Sequence, residues 1–369
     1  MSSSDHTKKV IRVLIVDDSA VVRLLLSKLL SSDPGIEVVA TAADPYIARD
    51  KLLALSPDVM TLDVEMPKMD GITFLEKVMQ HCPTRTIILS SLTTERSEMA
   101  LRELELGAIE VVAKPTIDLT VGLAEMGRDL IDKVKAAAQA RLRPRGTAPA
   151  APTASSSAHH SRTAIAAEPK DRSSALAKTT HQVLAIASST GGTEALKVLL
   201  AGMPPDLPGT VIVQHMPPVF TKSYAETLNR MLPFEVKEAA EGDRVLPGRV
   251  LLAPGNFHME LVRNGAYYYV TLHQQPQIHG VRPAADLLMH SVAKHAGKNA
   301  IGVVLTGMGK DGAAGLLSMK TAGAYNIAQD EASCVVFGMP KMAIEAGAIH
   351  KVAPLDEIAT QIMRRITAA

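Results

Sequence analysis

Short apolar runs alternate with amphipathic ones along this chain, and they do so twice, once on each side of a stretch that has neither pattern. An apolar run of about four to eight residues bounded by turn formers fits a buried strand; apolar residues three and four apart fit a helix. Repeated strand–helix alternation points to a mostly parallel sheet with helices on its faces, because parallel neighbours need long crossovers. The first half predicts strands at Val10–Val16, Ile36–Ala40, Val59–Leu62, Thr86–Leu89 and Glu110–Ala113. Helices are expected at Ala20–Leu30, from the cap Asp44-Pro45 to about Leu55, from Gly71, from Glu95, and through Val134. The second half predicts strands at Val183–Ala187, Thr210–Val213, Arg249–Leu252, Ala300–Leu305 and Ala324–Ala328. Helices follow Gly192 and cover Phe220–Leu232, Ala284–His295, Ala313–Thr321 and Pro340–Ala346. Apolar-rich runs on both sides of Asn264-Gly265 predict an antiparallel hairpin inserted in this second unit.

The break between the two halves, residues 136–180, is rich in Ala, Pro and Ser, and its only large aliphatics are Leu142, Ile165 and Leu176. Such a segment buries too little apolar surface to offset chain entropy and reads as a flexible tether. The expected organisation is therefore a doubly wound α/β domain at 1–135, a linker at 136–180, and a second α/β domain at 181–369. The tether arginines are dispersed and no aromatic lies between them, so a nucleic-acid arm is not favoured. The net charge of +1 gives no field for nucleic acid or an anionic membrane. No apolar run approaches a membrane span, and the N-terminus lacks the apolar core of a signal peptide. With only Cys82 and Cys334 there is no disulfide framework, and a cytoplasmic protein is expected.

Chemistry gathers at the strand ends. Asp17-Asp18 follows the first strand and Asp63 follows the third. Three carboxylates at one sheet edge call for a hard cation, and oxygen ligands favour Mg²⁺. Ser90 ends the fourth strand and Lys114 the fifth, adding a hydroxyl and a cation. Together these groups form an acceptor site for a phosphoryl group, with one Asp as nucleophile.

In the second unit, Ser188-Ser189-Thr190-Gly191-Gly192 turns a strand into a helix. Taken alone, the turn reads more readily as a helix cap than as a nucleophile at the carboxyl edge of the sheet. His215 and Asp311 lie at two other strand ends, which makes Ser–His–Asp acyl transfer chemically coherent. Strand and turn reasoning does not choose between Ser188 and Ser189. A competing reading is a nucleotide-binding module, because Gly307-Met308-Gly309-Lys310-Asp311-Gly312 matches G-x-G-x-x-G, with Asp330 further on. Against it, Asp311 would set a negative charge where a pyrophosphate should lie. A non-catalytic output domain is the other alternative. His258, His273 and His279 lack zinc spacing and read as surface or rim histidines.

Residues 9–130 carry Asp17-Asp18-Ser19, Leu62-Asp63-Val64-Glu65-Met66-Pro67, Ser90-Ser91 and Ala113-Lys114-Pro115, and resemble the receiver domain of two-component response regulators. The resemblance implies a flavodoxin-like (βα)5 fold and phosphorylation of Asp63 by a histidine kinase. It also implies Mg²⁺ held by Asp17, Asp18, Asp63 and the carbonyl of Glu65, with Ser90 and Lys114 reading the phosphoryl oxygens. Residues 181–369 carry Ser189-Thr190-Gly191-Gly192, Gln214-His215-Met216-Pro217-Pro218, Arg282-Pro283, Leu305-Thr306-Gly307-Met308-Gly309 and Glu331-Ala332-Ser333-Cys334. They resemble the catalytic domain of the chemotaxis protein-glutamate methylesterases. That resemblance implies Ser189 as nucleophile, His215 as base and Asp311 as orienting carboxylate. It further implies hydrolysis of glutamate methyl esters on chemotaxis receptors, commonly with glutamine deamidation, and no cofactor for the esterase step. Backbone N–H groups near Thr190 and Met308 are the expected oxyanion donors. Two departures stand out: Ala187-Ser188 replaces the frequent Gly-Ala, and the tether is long.

Overall fold

The computed structural model describes residues 10–64, 66, 71–90, 93–114, 122–142 and 182–368. Glu65 and tether residues 143–180 lie outside them. The first unit runs β1 (Ile11–Val16), α1 (Ala20–Leu30), β2 (Ile36–Ala42), α2 (Pro45–Leu55), β3 (Val59–Asp63), α3 (Gly71–His81), β4 (Arg85–Ser90), α4 (Thr94–Glu105), β5 (Glu110–Ala113) and α5 (Gly122–Gln139). Its five strands are ordered β2-β1-β3-β4-β5 and pair in parallel throughout. Parallel strands covered on both faces must be apolar on both, and β3 is buried along its whole length. The Asp44 side chain caps α2 by accepting from the Tyr46 and Ile47 amides, at 3.0 and 2.9 Å, and Pro45 takes the first helical position.

Helix α5 continues five residues past the expected end at Val134, to Gln139. Alanines favour helix, and Ala136, Ala137 and Ala140 are buried beside Val336 of the second unit, so local propensity and packing agree.

The second unit contains β6 (Val183–Ser188), α6 (Gly192–Ala201), β7 (Gly209–Gln214), α7 (Phe220–Met231), β8 (Glu235–Glu238), β9 (Arg249–Leu252), β10 (His258–Asn264), β11 (Tyr267–His273), α8 (Ala285–His295), β12 (Ala300–Val304), α9 (Ala313–Thr321), β13 (Tyr325–Gln329), α10 (Met339–Glu345), β14 (Lys351–Ala353) and α11 (Leu355–Ala368). Seven strands form one sheet, ordered β14-β13-β12-β6-β7-β9-β8, all parallel. The chain winds outward from β6 in one direction and from β12 in the other. The gap between β6 and β12 is therefore the topological switch point, where open α/β sheets leave a crevice at their carboxyl ends.

The hairpin β10–β11 is a separate two-stranded sheet. Asn264 pairs with Tyr267, so the turn residues are Gly265 and Ala266 rather than Asn264-Gly265. The hairpin is pinned to α8 where the Leu261 amide donates to Ser291 Oγ at 2.7 Å. Three elements go beyond the sequence reading. β8 is a charged edge strand and β14 is only three residues long, so neither presents an apolar run. α11 was legible: Asp356 and Glu357 open it, Arg365 closes it, and Leu355, Ile358, Ala359, Ile362 and Ile366 are buried at helical spacing. Among the described residues no helix is long and apolar enough to cross a membrane.

The two units touch. α4 lies against α6 and α7, and Leu101 and Leu104 share an apolar cluster with Leu196 and Tyr224.

Candidate active site

In the first unit the parallel winding brings the ends of β1, β3, β4 and β5 to one edge. Asp17 and Asp63 are buried and Ser90 is 1 % exposed. Donor oxygens of Asp17, Asp18 and Asp63 all lie within 4.8 Å of one another. Lys114 Nζ stands 2.9 Å from Asp17 Oδ2 and 2.7 Å from Asp63 Oδ2. Burial presses the Lys114 pKa downward, but its bonds to Asp63 and Asp17 outweigh that, so it stands above the ordinary lysine value. An all-oxygen set of this kind suits a hard divalent cation. The expected sites Asp17, Asp18, Asp63, Ser90 and Lys114 therefore meet at one edge; Glu65 is outside the described residues.

In the second unit the switch point gathers Ser189 after β6, His215 after β7, and Asp311 in the loop after β12. His215 Nε2 lies 2.8 Å from Asp311 Oδ2. Asp311 sits at the N-terminus of α8, where Oδ2 accepts from the Ala285 amide at 2.6 Å and Oδ1 from the Asp286 amide at 2.9 Å. Burial alone would raise the Asp311 carboxyl. The bond to His215, the imidazole's charge and these two amides reverse the sign and hold it below the ordinary aspartate value. The carboxylate is thus ionised and aimed at the imidazole. The nucleotide alternative is disfavoured at α9, the helix that the Gly307–Gly312 segment opens, because its Gly312 and Gly315 amides already donate to Asp311 Oδ1 at 3.0 Å and Asp286 Oδ1 at 2.8 Å.

The two serines differ in surroundings. Ser188 is fully buried and its Oγ donates to Gln214 Oε1 at 2.7 Å. Ser189 reaches a cavity of about 640 Å³ that also exposes Thr190, His215, His279 and Met308. Gln214 Nε2 donates to the Ser189 carbonyl at 3.0 Å, so one buried amide braces both residues. The turn needs both glycines. Gly191 has φ +76°, and a Cβ on Gly192 would lie 2.2 Å from Gln214 Oε1 and 2.7 Å from Ser188 Cβ.

Part of the first unit walls this cavity: Arg128, Asp129, Asp132 and Lys133 of α5 line it opposite the Ser189 turn. Glu110, 4 % exposed, accepts from Thr190 Oγ1 at 2.9 Å. Burial pushes the Glu110 carboxyl above its ordinary value; nearby Lys133 and the Thr190 bond offset only part of that. Lys197 Nζ reaches Glu105 Oε1 at 2.6 Å, and Arg141 reaches Glu331 Oε1 at 3.0 Å. These outer pairs are exposed on at least one side and contribute at most about 1 kcal/mol each. The expected rim histidines divide. His258 is fully buried, His273 pairs with Glu260 at 2.7 Å, and His279 lines the cavity.

Residues 13–125 match the family model for the response regulator receiver domain, and residues 184–362 match that for CheB methylesterase. A Bdellovibrio bacteriovorus protein named protein-glutamate methylesterase/protein-glutamine glutaminase is 64% identical over 359 residues, 96% of this chain and 97% of that protein. This chain belongs to the protein-glutamate methylesterase/protein-glutamine glutaminase family. A Syntrophotalea carbinolica member of that name is 52% identical over 96% of this chain and 97% of its own length. The crystal structure of the Thermotoga maritima CheB methylesterase catalytic domain is 40% identical with a TM-score of 0.49, covering 50% of this chain and 99% of that one. Membership in this methylesterase family makes the chain a response-regulator hydrolase. Glu110, Asp286 and His279 carry no motif signal that marks them as site residues; only the packing shows that they border the site.

Proposed function

We propose that this enzyme hydrolyses glutamate methyl esters, and the side-chain amides of glutamines, on methyl-accepting chemotaxis receptors, under control of phosphorylation at Asp63. The observation that carries the reading is the 2.8 Å His215–Asp311 bond in a cavity that also exposes Ser189. Asp311 holds Nε2, which leaves Nδ1 as the nitrogen for the serine proton. His215 takes that proton as Ser189 Oγ attacks the γ-carbonyl, and the backbone N–H groups of Thr190 and Met308 receive the oxyanion. His215 returns the proton to the leaving methanol or ammonia. Water then attacks the acyl-enzyme with His215 again as base, freeing Ser189 and the glutamate.

For control, Asp63 is the phosphoryl acceptor for a chemotaxis histidine kinase. Asp17, Asp18 and Asp63 would hold Mg²⁺, which when bound supplies charge neutralisation for phosphoryl transfer. Ser90 and Lys114 read the phosphoryl oxygens, and Lys114 must then give up part of its present grip on Asp17 and Asp63. In the unphosphorylated form helix α5 walls the cavity and Glu110 ties the first unit to Thr190, and phosphorylation shifts the population toward an open form. The test is methanol release from methylated receptor membranes with and without a phosphodonor. Ser189→Ala should abolish release and Ser188→Ala should retain most of it; the reverse sinks the assignment. Deleting residues 1–135 should raise the unphosphorylated rate, and a rate no higher than the full chain's sinks the occlusion model.

A further inference from the structure

A second imidazole–carboxylate pair stands beside the first. His279 Nε2 lies 3.0 Å from Asp286 Oδ2. His279 lines the cavity, while Asp286 is buried behind it, 6 % exposed, with Oδ1 accepting the Gly315 amide at 2.8 Å. Donor atoms of His279, Asp286 and Asp311 all fall within 4.8 Å of one another. The trio is not arranged to bind a cation. Asp311 Oδ2 already accepts from Ala285 and faces His215, and Oδ1 accepts from Asp286 and Gly312. What the trio provides is electrostatic proximity between the two pairs.

His279 is held where it is. Ile278 and Val281 exchange backbone bonds of 3.2 and 3.0 Å around His279-Gly280, whose φ angles are +54° and +78°. Asn and Gly favour such a turn, so an imidazole there carries a local conformational cost. Buried His258 clasps the same loop from both ends. Its Nδ1 accepts the Ala284 amide at 3.1 Å, so Nε2 carries the proton donated to the Pro276 carbonyl at 3.1 Å. Arg282, on the same loop, is tied to Asn256 Oδ1 at 2.6 Å.

We propose that His279, through its contact with Asp286, sets the basicity of His215 by way of Asp311. It is a positioning residue, and the inference rests on the Ser189–His215–Asp311 reading above. Asp286 places a second negative charge close to Asp311. Uncompensated, that charge would stabilise protonated His215 and withhold the base from Ser189 at lower pH. A positive charge on His279 would cancel it. Lys310 and Arg282 face the same cavity from the catalytic unit, and Arg128, Asp129, Asp132 and Lys133 face it from α5. Measuring the phosphodonor-activated full chain keeps those contributions the same in every variant.

The experiment is the pH profile of kcat/KM for methanol release from methylated receptor membranes. His279→Asn suits the turn but carries no charge, and should move the acid limb upward by about half a unit to one unit. Below that limb its kcat/KM should be about three- to tenfold under the parent's, with the values converging at higher pH. His279→Lys keeps a cation and should leave the limb near the parent's. An unmoved limb in His279→Asn overturns the proposal, as does an equal shift in His279→Lys, which a purely structural role predicts. Ser189→Ala separates the two layers. Methanol release that survives it overturns the underlying catalytic reading; its loss together with an unmoved limb in His279→Asn overturns the role of His279 alone.

Discussion

Truncating Glu110 to alanine tests how the two units hold each other. In the closed form this residue is 4 % exposed and its Oε2 accepts from Thr190 Oγ1 at 2.9 Å, one position from the proposed nucleophile. It also faces Lys133, whose pKa burial presses down while Asp129 and Glu110 pull it above the ordinary lysine value. A hydrogen bond to a charged group contributes about 1.5–3 kcal/mol, and truncation also strands its partners. At about 1.4 kcal/mol per tenfold, a loss of about 2 kcal/mol favours the open form by roughly 30-fold. Opening on its own exposes Glu110 and Lys133 to water, so the closed form bears the whole loss. Methanol release without phosphodonor should therefore rise about 10- to 30-fold in Glu110→Ala, up to the fully activated rate. Glu110→Gln keeps an acceptor for Thr190 and should give a smaller rise. The assay compares both with the parent, with and without phosphodonor. A basal rate within about twofold of the parent's, with phosphodonor stimulation intact, would refute the view that this bond closes the site.

Closure should also depend on pH through Glu110. Its carboxyl is raised above the ordinary 4.5 by burial in the closed form and returns toward that value on opening, so the closed form binds more protons. The proton-linked part of its contribution to closure, which adds to that of the Thr190 bond itself, is full below about pH 4.5 and lost as pH rises through the raised value. An interdomain distance probe should therefore report progressive opening with rising pH, and Glu110→Gln should abolish that drift; an equal drift in both would sink the assignment. Asp311→Asn should lower kcat about 10⁴-fold, since the imidazole loses the group that fixes its tautomer, and a loss under tenfold would remove Asp311 from the mechanism. Gly192→Ala drives a Cβ to 2.2 Å from Gln214 Oε1 and should lower the melting temperature of the catalytic unit by about 4–8 °C. An unchanged melting temperature would show that the Ser188–Gln214 brace is not tight.

Much of the architecture was legible because it rests on local rules. The strand runs of both units were readable within about two residues, and Asp44-Pro45 marked the start of α2. The elements that escaped did so for stated reasons. β8 reads Glu235-Val236-Lys237-Glu238, an edge strand whose charged side chains carry no apolar signal. Helix α5 outran its expected end because Ala136, Ala137 and Ala140 find an apolar partner in Val336, about 200 residues away in the chain. Asp17, Asp63, Ser90, Lys114, Ser189, His215 and Asp311 stood out because each ends a strand or lies in the loop that follows one, and parallel winding sends strand ends to one edge. Glu110 lay inside an expected strand, and Asp286 lay in the first turn of a helix. Acids at such positions are ordinary until something packs against them.

By itself the sequence determined two parallel α/β units, the edge of each sheet that would carry chemistry, and the residue types available there. Those follow from periodicity, strand polarity and turn chemistry, all of which are local. The tertiary structure decided which of two adjacent hydroxyls is accessible: Ser188 is taken up by Gln214 and Ser189 opens to the cavity. It also decided that α5 walls that cavity, that Glu110 binds Thr190 beside it, and that a second imidazole–carboxylate pair borders Asp311. Burial and Coulomb interaction depend on distances between residues remote in the chain, which only the packed fold sets.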